Sequence, residues 1–355
     1  MTTVTSYPGV YIEELNSLAL SVSNSATAVP VFAVGEKNQE ISEDNAIRIN
    51  SWMDYLNLIS NFDNEDKLDV SVRAYFANGG GYCYLVKTTS LEKIIPTLDD
   101  VTLLVAAGED IKTTVDVLCQ PGKGLFAVFD GPETELTING AEEAKQAYTA
   151  TPFAAVYYPW LKADWANIDI PPSAVMAGVY ASVDLSRGVW KAPANVALKG
   201  GLEPKFLVTD ELQGEYNTGR AINMIRNFSN TGTTVWGART LEDTDNWRYV
   251  PVRRLFNSVE RDIKRAMSFA MFEPNSQPTW ERVRAAISNY LYSLWQQGGL
   301  AGSKEEDAYF VQIGKGITMT QEQIDAGQMI VKVGLAAVRP AEFIILQFTQ
   351  DVEQR

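Results

Sequence analysis

The 355-residue sequence contains no histidine. Its absence excludes Ser-His-Asp and Cys-His catalysis as well as HExxH metal sites, and it removes the most common general base near neutral pH. Adjacent acids such as Glu13 and Glu14 diverge in a strand or a helix, so they do not form a convincing acid/base pair. We therefore predict no catalytic residue, no metal site and no cofactor, although a hydrolase that uses carboxylates alone remains an alternative.

Cysteine is nearly absent as well. Cys83 lies in the strand-like segment YCYLVK and Cys119 ends the apolar segment VDVLC. Two cysteines cannot build a disulfide framework, and their apolar neighbours favour small buried side chains.

Long apolar runs and basic residues are also scarce. No stretch approaches the ~18 to 20 apolar residues of a membrane span, and the N-terminus lacks the basic and apolar regions of a signal peptide. We therefore expect synthesis in the cytoplasm and no insertion into a membrane. With 30 Lys and Arg against 44 Asp and Glu, the net charge is −14, and this charge argues against nucleic acid as the principal partner.

Apolar strand-like segments alternate with amphipathic helical segments over most of the chain. This order is typical of an α/β fold in which a parallel or mixed sheet is flanked by helices. The strand-like segments are VPVFAVG, YCYLVK, VTLLVAA, GLFAVFD, FAAVYYPW and TTVWGART.

The pattern changes near residue 240. Two strong helices, VPVRRLFNSVERDIKRAMSFAMF and TWERVRAAISNYLYSLWQQGG, are followed by the strand-like DAYFVQIG and QMIVKVGLAAV. We predict an N-terminal arm over residues 1–22, an α/β domain over 23–240, a C-terminal α+β domain over 241–335, and a C-terminal arm over 336–355.

The first of these helices is locally basic in an acidic protein. Its apolar residues recur at helical spacing on one side, and Arg254, Arg261 and Arg265 line the opposite side. Such a face is either simply solvated or docks an acidic partner.

Both ends of the chain carry a proline followed by a β-rich run. SYPGVYIEEL begins with the Pro8-Gly9 turn, and RPAEFIILQF follows Pro340. We predict that both runs are extended strands.

Several segments together resemble the sheath proteins of contractile tails, pyocins and extracellular injection systems. The similarity covers both termini and nearly all of the chain from about Pro171, and residues 35–150 are only loosely similar. The resembling segments are YPGVYIEEL, PPSAVMAGVYASVDLSRGVWKAPAN, WGART, WRYVPVRRLF, FEPNSQPTWERVR and RPAEFIILQF.

The resemblance implies a central domain of subtilisin-like topology without a catalytic triad, and terminal arms that exchange strands between subunits. Subunits of this family stack as six-membered rings wound helically around an inner tube. The implied arm strands are Val10, Tyr11, Ile12 and Glu13 at one end and Phe343, Ile344, Ile345, Leu346, Gln347 and Phe348 at the other. The implied tube-facing residues are Arg254, Arg261, Lys264 and Arg265.

The family also implies further partners and a location. These partners are baseplate and terminal cap proteins and paralogous sheath subunits. The subunit would be made in the bacterial cytoplasm and assembled into a particle that lysis releases. A baseplate or adaptor protein of such a particle is the main alternative function.

Overall fold

The computed structural model describes residue 22 and residues 25–342. The strands in this part of the chain are β1 (Pro30–Val34), β2 (Ile47–Ile49), β3 (Cys83–Lys87), β4 (Leu103–Val105), β5 (Phe126–Asp130), β6 (Ala154–Tyr158), β7 (Leu161–Lys162), β8 (Val196–Ala197), β9 (Glu203–Pro204), β10 (Ile222–Phe228), β11 (Gly232–Val235), β12 (Tyr309–Gln312) and β13 (Lys332–Leu335).

The helices are α1 (Trp52–Ile59), α2 (Lys67–Ala77), α3 (Leu91–Ile94), α4 (Lys112–Leu118), α5 (Ala141–Gln146), α6 (Pro172–Arg187), α7 (Asp210–Tyr216), α8 (Val250–Met267), α9 (Gln277–Gln296), α10 (Glu305–Ala308) and α11 (Gln321–Asp325). None of the helices in the described residues is long and apolar enough to cross a membrane.

A nine-stranded mixed sheet forms the centre of the molecule. Its strand order is β2-β3-β1-β4-β5-β6-β10-β11-β8. The six strands from β3 to β10 run parallel, and antiparallel pairings add β2 at one end of the sheet and β11 and β8 at the other. The predicted α/β class with a mixed sheet and flanking helices is therefore confirmed.

Helices cover both faces of this sheet. In β1, Phe32 and Val34 point into one core, which includes residues of α2 and α6, whereas Val31 and Ala33 point into the other, which includes residues of α3, α4 and α7. Successive strand residues face opposite sides, so a strand that is covered on both faces is a continuous apolar run. This is why VPVFAVG has no polar residue.

A buried carboxylate fixes the start of α6 against the sheet. Asp130, at the end of β5, accepts hydrogen bonds from the backbone N–H groups of Ser173 (2.7 Å) and Gly108 (2.8 Å). Burial raises the pKa of Asp130 to about 6, and the two donors oppose this shift. The N–H of Ser173 belongs to the first turn of α6, so Asp130 satisfies a group that has no partner within the helix.

Helices α2 and α6 approach closely at Gly178. A Cβ atom at this position would lie 2.5 Å from the carbonyl oxygen of Tyr75 in α2. Backbone atoms cannot move aside as the end of a side chain can, so the glycine is required for this helix contact.

We expect Gly178→Ala to lower the free energy of unfolding by about 1 to 3 kcal/mol through overpacking between α2 and α6. Denaturant unfolding of the purified protein measures the change. Gly214→Ala in α7 is the matched control, since a Cβ there meets nothing within 4 Å. The control should be neutral or stabilise by up to about 1 kcal/mol. Equal destabilisation by both variants would contradict the close-packing explanation.

A third core lies in the C-terminal part of the chain. Residues of α8, α9 and the two-stranded sheet β12-β13 build it, with Ile287 and Leu291 of α9 fully buried at its centre. The two helices and two strands predicted from the sequence are all present. Cys83 and Cys119 are buried free thiols, as predicted.

Candidate assembly surfaces

Helix α8 is covered on two sides, which corrects one of the sequence predictions. Arg254 was expected on the exposed basic face, but its side chain is only 3% exposed and forms an ion pair with Asp184 of α6, 2.6 Å away. Its guanidinium group also lies 4.5 Å from the ring centre of Tyr180. The prediction of a solvent-facing Arg254 is wrong because α8 packs against α6 as well as against α9.

The other three basic candidates differ in their exposure to solvent. Arg261 is partly buried, and burial lowers the pKa of its guanidinium group, with the nearby Asp262 opposing the shift. Lys264 and Arg265 are exposed, and Arg265 approaches the carbonyl oxygen of Asp99 at 3.5 Å. Only Lys264 and Arg265 therefore present an accessible positive surface on this helix.

Residues 25–27, which we call the N-terminal root, are held at the junction of α6, α8 and α9. The carbonyl of Thr27 accepts a hydrogen bond from Arg254 (3.1 Å), and the hydroxyl of Ser25 accepts one from Arg261 (3.1 Å). The backbone N–H of Ser25 donates to Asp262 at 3.2 Å. Residues 25–27 are therefore fixed to the body at the point from which the predicted N-terminal arm would extend.

Glu342, which we call the C-terminal root, is held in a similar way. Its carboxylate accepts hydrogen bonds from Arg239 (2.6, 3.0 and 3.1 Å), from Tyr249 (3.2 Å) and from Asn217 (3.3 Å). Arg239 is 7% exposed and follows the end of the central sheet. Sequence reasoning missed this pair, because no local pattern links residues that are 103 positions apart.

The sheet β12-β13 has an open edge within the described residues. Its register pairs Phe310 with Gly334 and Val311 with Val333. The N–H of Ala336 donates to the carbonyl of Ala308 (2.8 Å). Positions whose backbone groups point toward the partner strand alternate with positions whose groups point away from it. The N–H and C=O groups of Val333, three residues earlier, therefore face away from β12. No other described strand pairs with β13 on that side.

Apolar side chains are unusually accessible on this small sheet. Phe310 is 52% exposed, although its ring lies directly over Gly334, where a Cβ would come within 2.2 Å of the ring. Val333 and Leu335 are only half-buried. An edge strand with free backbone groups and accessible apolar side chains is a ready site for addition of another strand.

The predicted arm strands, residues 10–13 and 343–348, lie outside the described residues, so their pairing stays a prediction. In the part of the chain that is described, no group of three or more Cys, Asp and Glu residues is arranged to hold a metal ion.

The fold matches a known class of structural proteins. The family model for the phage tail sheath protein central domain matches residues 88–241, and the model for the phage tail sheath C-terminal domain matches residues 242–351. The chain belongs to the phage tail sheath protein family.

Two solved sheath chains are similar to this chain over nearly its full length. A solved chain from the PVC sheath complex of an extracellular contractile injection system, in the contracted state, is 98% identical, with each chain covered fully and a TM-score of 0.94. A chain from the helical sheath of the anti-feeding prophage, also contracted, is 46% identical over 98% of this chain and 100% of that chain, with a TM-score of 0.83.

A curated relative is more distant. The putative prophage major tail sheath protein of Pseudomonas aeruginosa (strain UCBPP-PA14) is 26% identical over 212 residues, which are 56% of this chain and 53% of that protein. The chain thus spans about half the length of this relative.

Proposed function

We propose that the protein is the structural subunit of the contractile sheath of an extracellular injection particle. The observation that carries this proposal is the match over the full length to a sheath chain of such a system, with 98% identity. The subunit would polymerise helically around an inner tube and contract to drive that tube through a target envelope. It would be made in a bacterial cytoplasm and leave the cell with the particle after lysis.

Strand exchange is the proposed mode of assembly. The β12-β13 sheet would accept a terminal strand from another copy of the chain at the open edge of β13. Backbone hydrogen bonds would supply the connection, and the alternating apolar side chains of the arm would set the register against Val333 and Leu335. Because donor and acceptor are different surfaces of one chain, the contact is heterologous, and it extends into an open helical cylinder where the rotation between copies does not close a ring.

The inner tube is the second proposed partner. We place the contact on Lys264 and Arg265, with Arg261 contributing only where its partly buried guanidinium group reaches the surface. Exposed ion pairs stabilise a contact by only about 0 to 1 kcal/mol each, so a tube contact of this kind can be broken one subunit at a time. Baseplate and cap proteins and paralogous sheath subunits are the remaining proposed partners.

Contraction would follow from two packing arrangements of the same subunits. In the extended sheath, the tube and the baseplate would hold the subunits in a metastable arrangement. On triggering, the subunit bodies would rotate outward and repack with more buried surface, while the exchanged strands stay paired and pass the motion from ring to ring.

The test is negative-stain electron microscopy of the purified protein, with and without the inner tube protein of its particle. We expect cylinders in both conditions, and extended cylinders only with tube. Discrete particles would favour the baseplate or adaptor alternative, and monomers would reopen the hydrolase alternative.

The variant Lys264→Glu/Arg265→Glu should form tube-free cylinders normally and lose at least about tenfold in co-assembly with the tube, since several reversed charges would act in each ring. Lys162→Glu/Lys199→Glu is the matched control, because both lysines are exposed on the central domain. Normal co-assembly of the Lys264/Arg265 variant would exclude this face as the tube contact.

A further inference from the structure

We propose that buried arginines anchor both arm roots to the subunit body, so that body and roots move as one unit between the extended and contracted sheath. Arg254 would be the positioning residue for the N-terminal root and Arg239 the one for the C-terminal root. This inference rests on the proposed sheath function. It adds which residues hold each arm to the subunit body.

The Arg254 site joins the N-terminal root to both domains. Arg254 donates to both carboxylate oxygens of Asp184 in α6 (3.0 and 2.6 Å) and to the carbonyl of Thr27 (3.1 Å). The hydroxyl of Thr27 donates to the same carboxylate. The side chains of Arg254 and Asp184 are 3% and 5% exposed. The root thus supplies two of the groups that satisfy a buried ion pair.

A second set of contacts holds Ser25 and Ala26. Asp262 accepts from the N–H and the hydroxyl of Ser25, and its other oxygen accepts from the hydroxyl of Tyr290 in α9 at 2.8 Å. Burial and the Asp262 carboxylate raise the pKa of Tyr290, which keeps its hydroxyl protonated as a donor. Arg261 completes the set through Ser25 and the carbonyl of Ala26. Val22, just before the root, packs against the C-terminal core.

The physical consequence is that detaching either root from the body is unfavourable in free energy. Removing residues 25–27 would leave buried charged groups short of hydrogen-bond partners, and such groups cost far more free energy than solvated ones. Detaching Glu342 carries a similar penalty, because the buried guanidinium group of Arg239 would lose its carboxylate partner. Force on the N-terminal arm is therefore transmitted to α6 and α8. Force on the C-terminal arm is transmitted through Arg239 to the end of the central sheet.

A reversible crosslink tests whether the N-terminal root stays attached. The side chains of Ser25 and Asp262 are in contact, so Ser25→Cys/Asp262→Cys places two thiols at neighbouring positions of the root and α8. The native cysteines are buried and remain in place. Particles built with this variant would be oxidised, checked for the disulfide by mass spectrometry, and induced to contract with mild denaturant, with and without reductant.

We expect oxidised and reduced particles to contract to the same extent, because the root does not leave α8 in either state. Oxidised particles that stay extended and contract only after reduction would overturn the proposal. Failure of the wild-type chain to form cylinders at all would instead contradict the underlying sheath function, so the two failures are distinguishable.

A second variant applies if the cysteine pair does not assemble. Arg254→Met/Asp184→Leu replaces the buried pair with apolar side chains, and such replacements commonly preserve folding. We expect a melting temperature within a few degrees of the wild-type value but at least tenfold fewer cylinders, since the arm root loses its fixed position. Wild-type numbers of cylinders would overturn the proposal.

The matched control is Arg253→Met/Glu260→Gln on the same helix. Arg253 is also buried, but it binds Asn257 and Glu260 and lies against the rings of Trp247 and Phe153 instead of contacting the root. This control should form cylinders like the wild type, and any loss should be no greater than its lower melting temperature explains. An equal loss of cylinders in both variants at equal stability would contradict a specific role for Arg254.

Discussion

Deletion of residues 1–15 is expected to leave a folded, soluble protein that forms no cylinders. The three cores are built from residues 22–337, so their packing accounts for a stable body without this segment. The deleted residues contain the proposed donor strand, Val10, Tyr11, Ile12 and Glu13. Loss of a donated strand removes a full row of intermolecular backbone hydrogen bonds from every contact, so the effect on assembly is all-or-none.

Circular dichroism melting and negative-stain microscopy of the same sample measure folding and assembly separately. Deletion of residues 1–5 is the control, because it retains the predicted Pro8-Gly9 turn and the predicted strand after it. This shorter deletion should polymerise like the wild type. Cylinders from the 1–15 deletion would show that this strand is not the connection between subunits.

The second expected result is loss of assembly in Val333→Pro. The N–H of Val333 faces away from β12, so proline there removes a donor from the open edge while the β12-β13 pairing keeps its hydrogen bonds. The variant should unfold at nearly the wild-type denaturant concentration and form no cylinders. Val333→Thr, which keeps the N–H and the branched side chain, should assemble.

The donor side offers a corresponding test. Ile345→Pro would remove a donor from the proposed C-terminal arm strand and should give the same defect. If Val333→Pro assembles normally while Ile345→Pro does not, the acceptor is an edge other than that of β13.

One strand of the central sheet shows why the sequence did not predict every element. Strand β10 contains Asn223, Arg226 and Asn227, a composition more typical of a loop than of a buried strand. In the fold, the Asn223 amide donates to the carbonyls of Val156 (3.1 Å) and Arg239 (2.8 Å), which makes its burial possible. These partners are distant in sequence, so no local pattern could have revealed them.

The assembly surfaces were predictable to different degrees. The terminal runs that follow Pro8 and Pro340 are predicted to be strands from their composition, and both this prediction and their pairing lie outside the described residues. The open edge of β13 was not recognisable, because QMIVKVGLAAV is equally typical of a fully paired strand. Among the described residues, the tertiary structure pairs β13 with β12 alone, so the other side of β13 has no partner strand there.

The sequence by itself determined the fold class and the lack of histidine chemistry. Apolar runs such as VPVFAVG specify strands covered on both faces, since every residue of such a strand must be buried. Only the tertiary structure decided which charged residues are available to a partner. Arg254 and Arg265 lie on the same helix, but α6 and the N-terminal root bury the first, whereas the second stays exposed. Helical periodicity shows which residues share a face, but burial of that face depends on elements that pack against it from elsewhere in the chain.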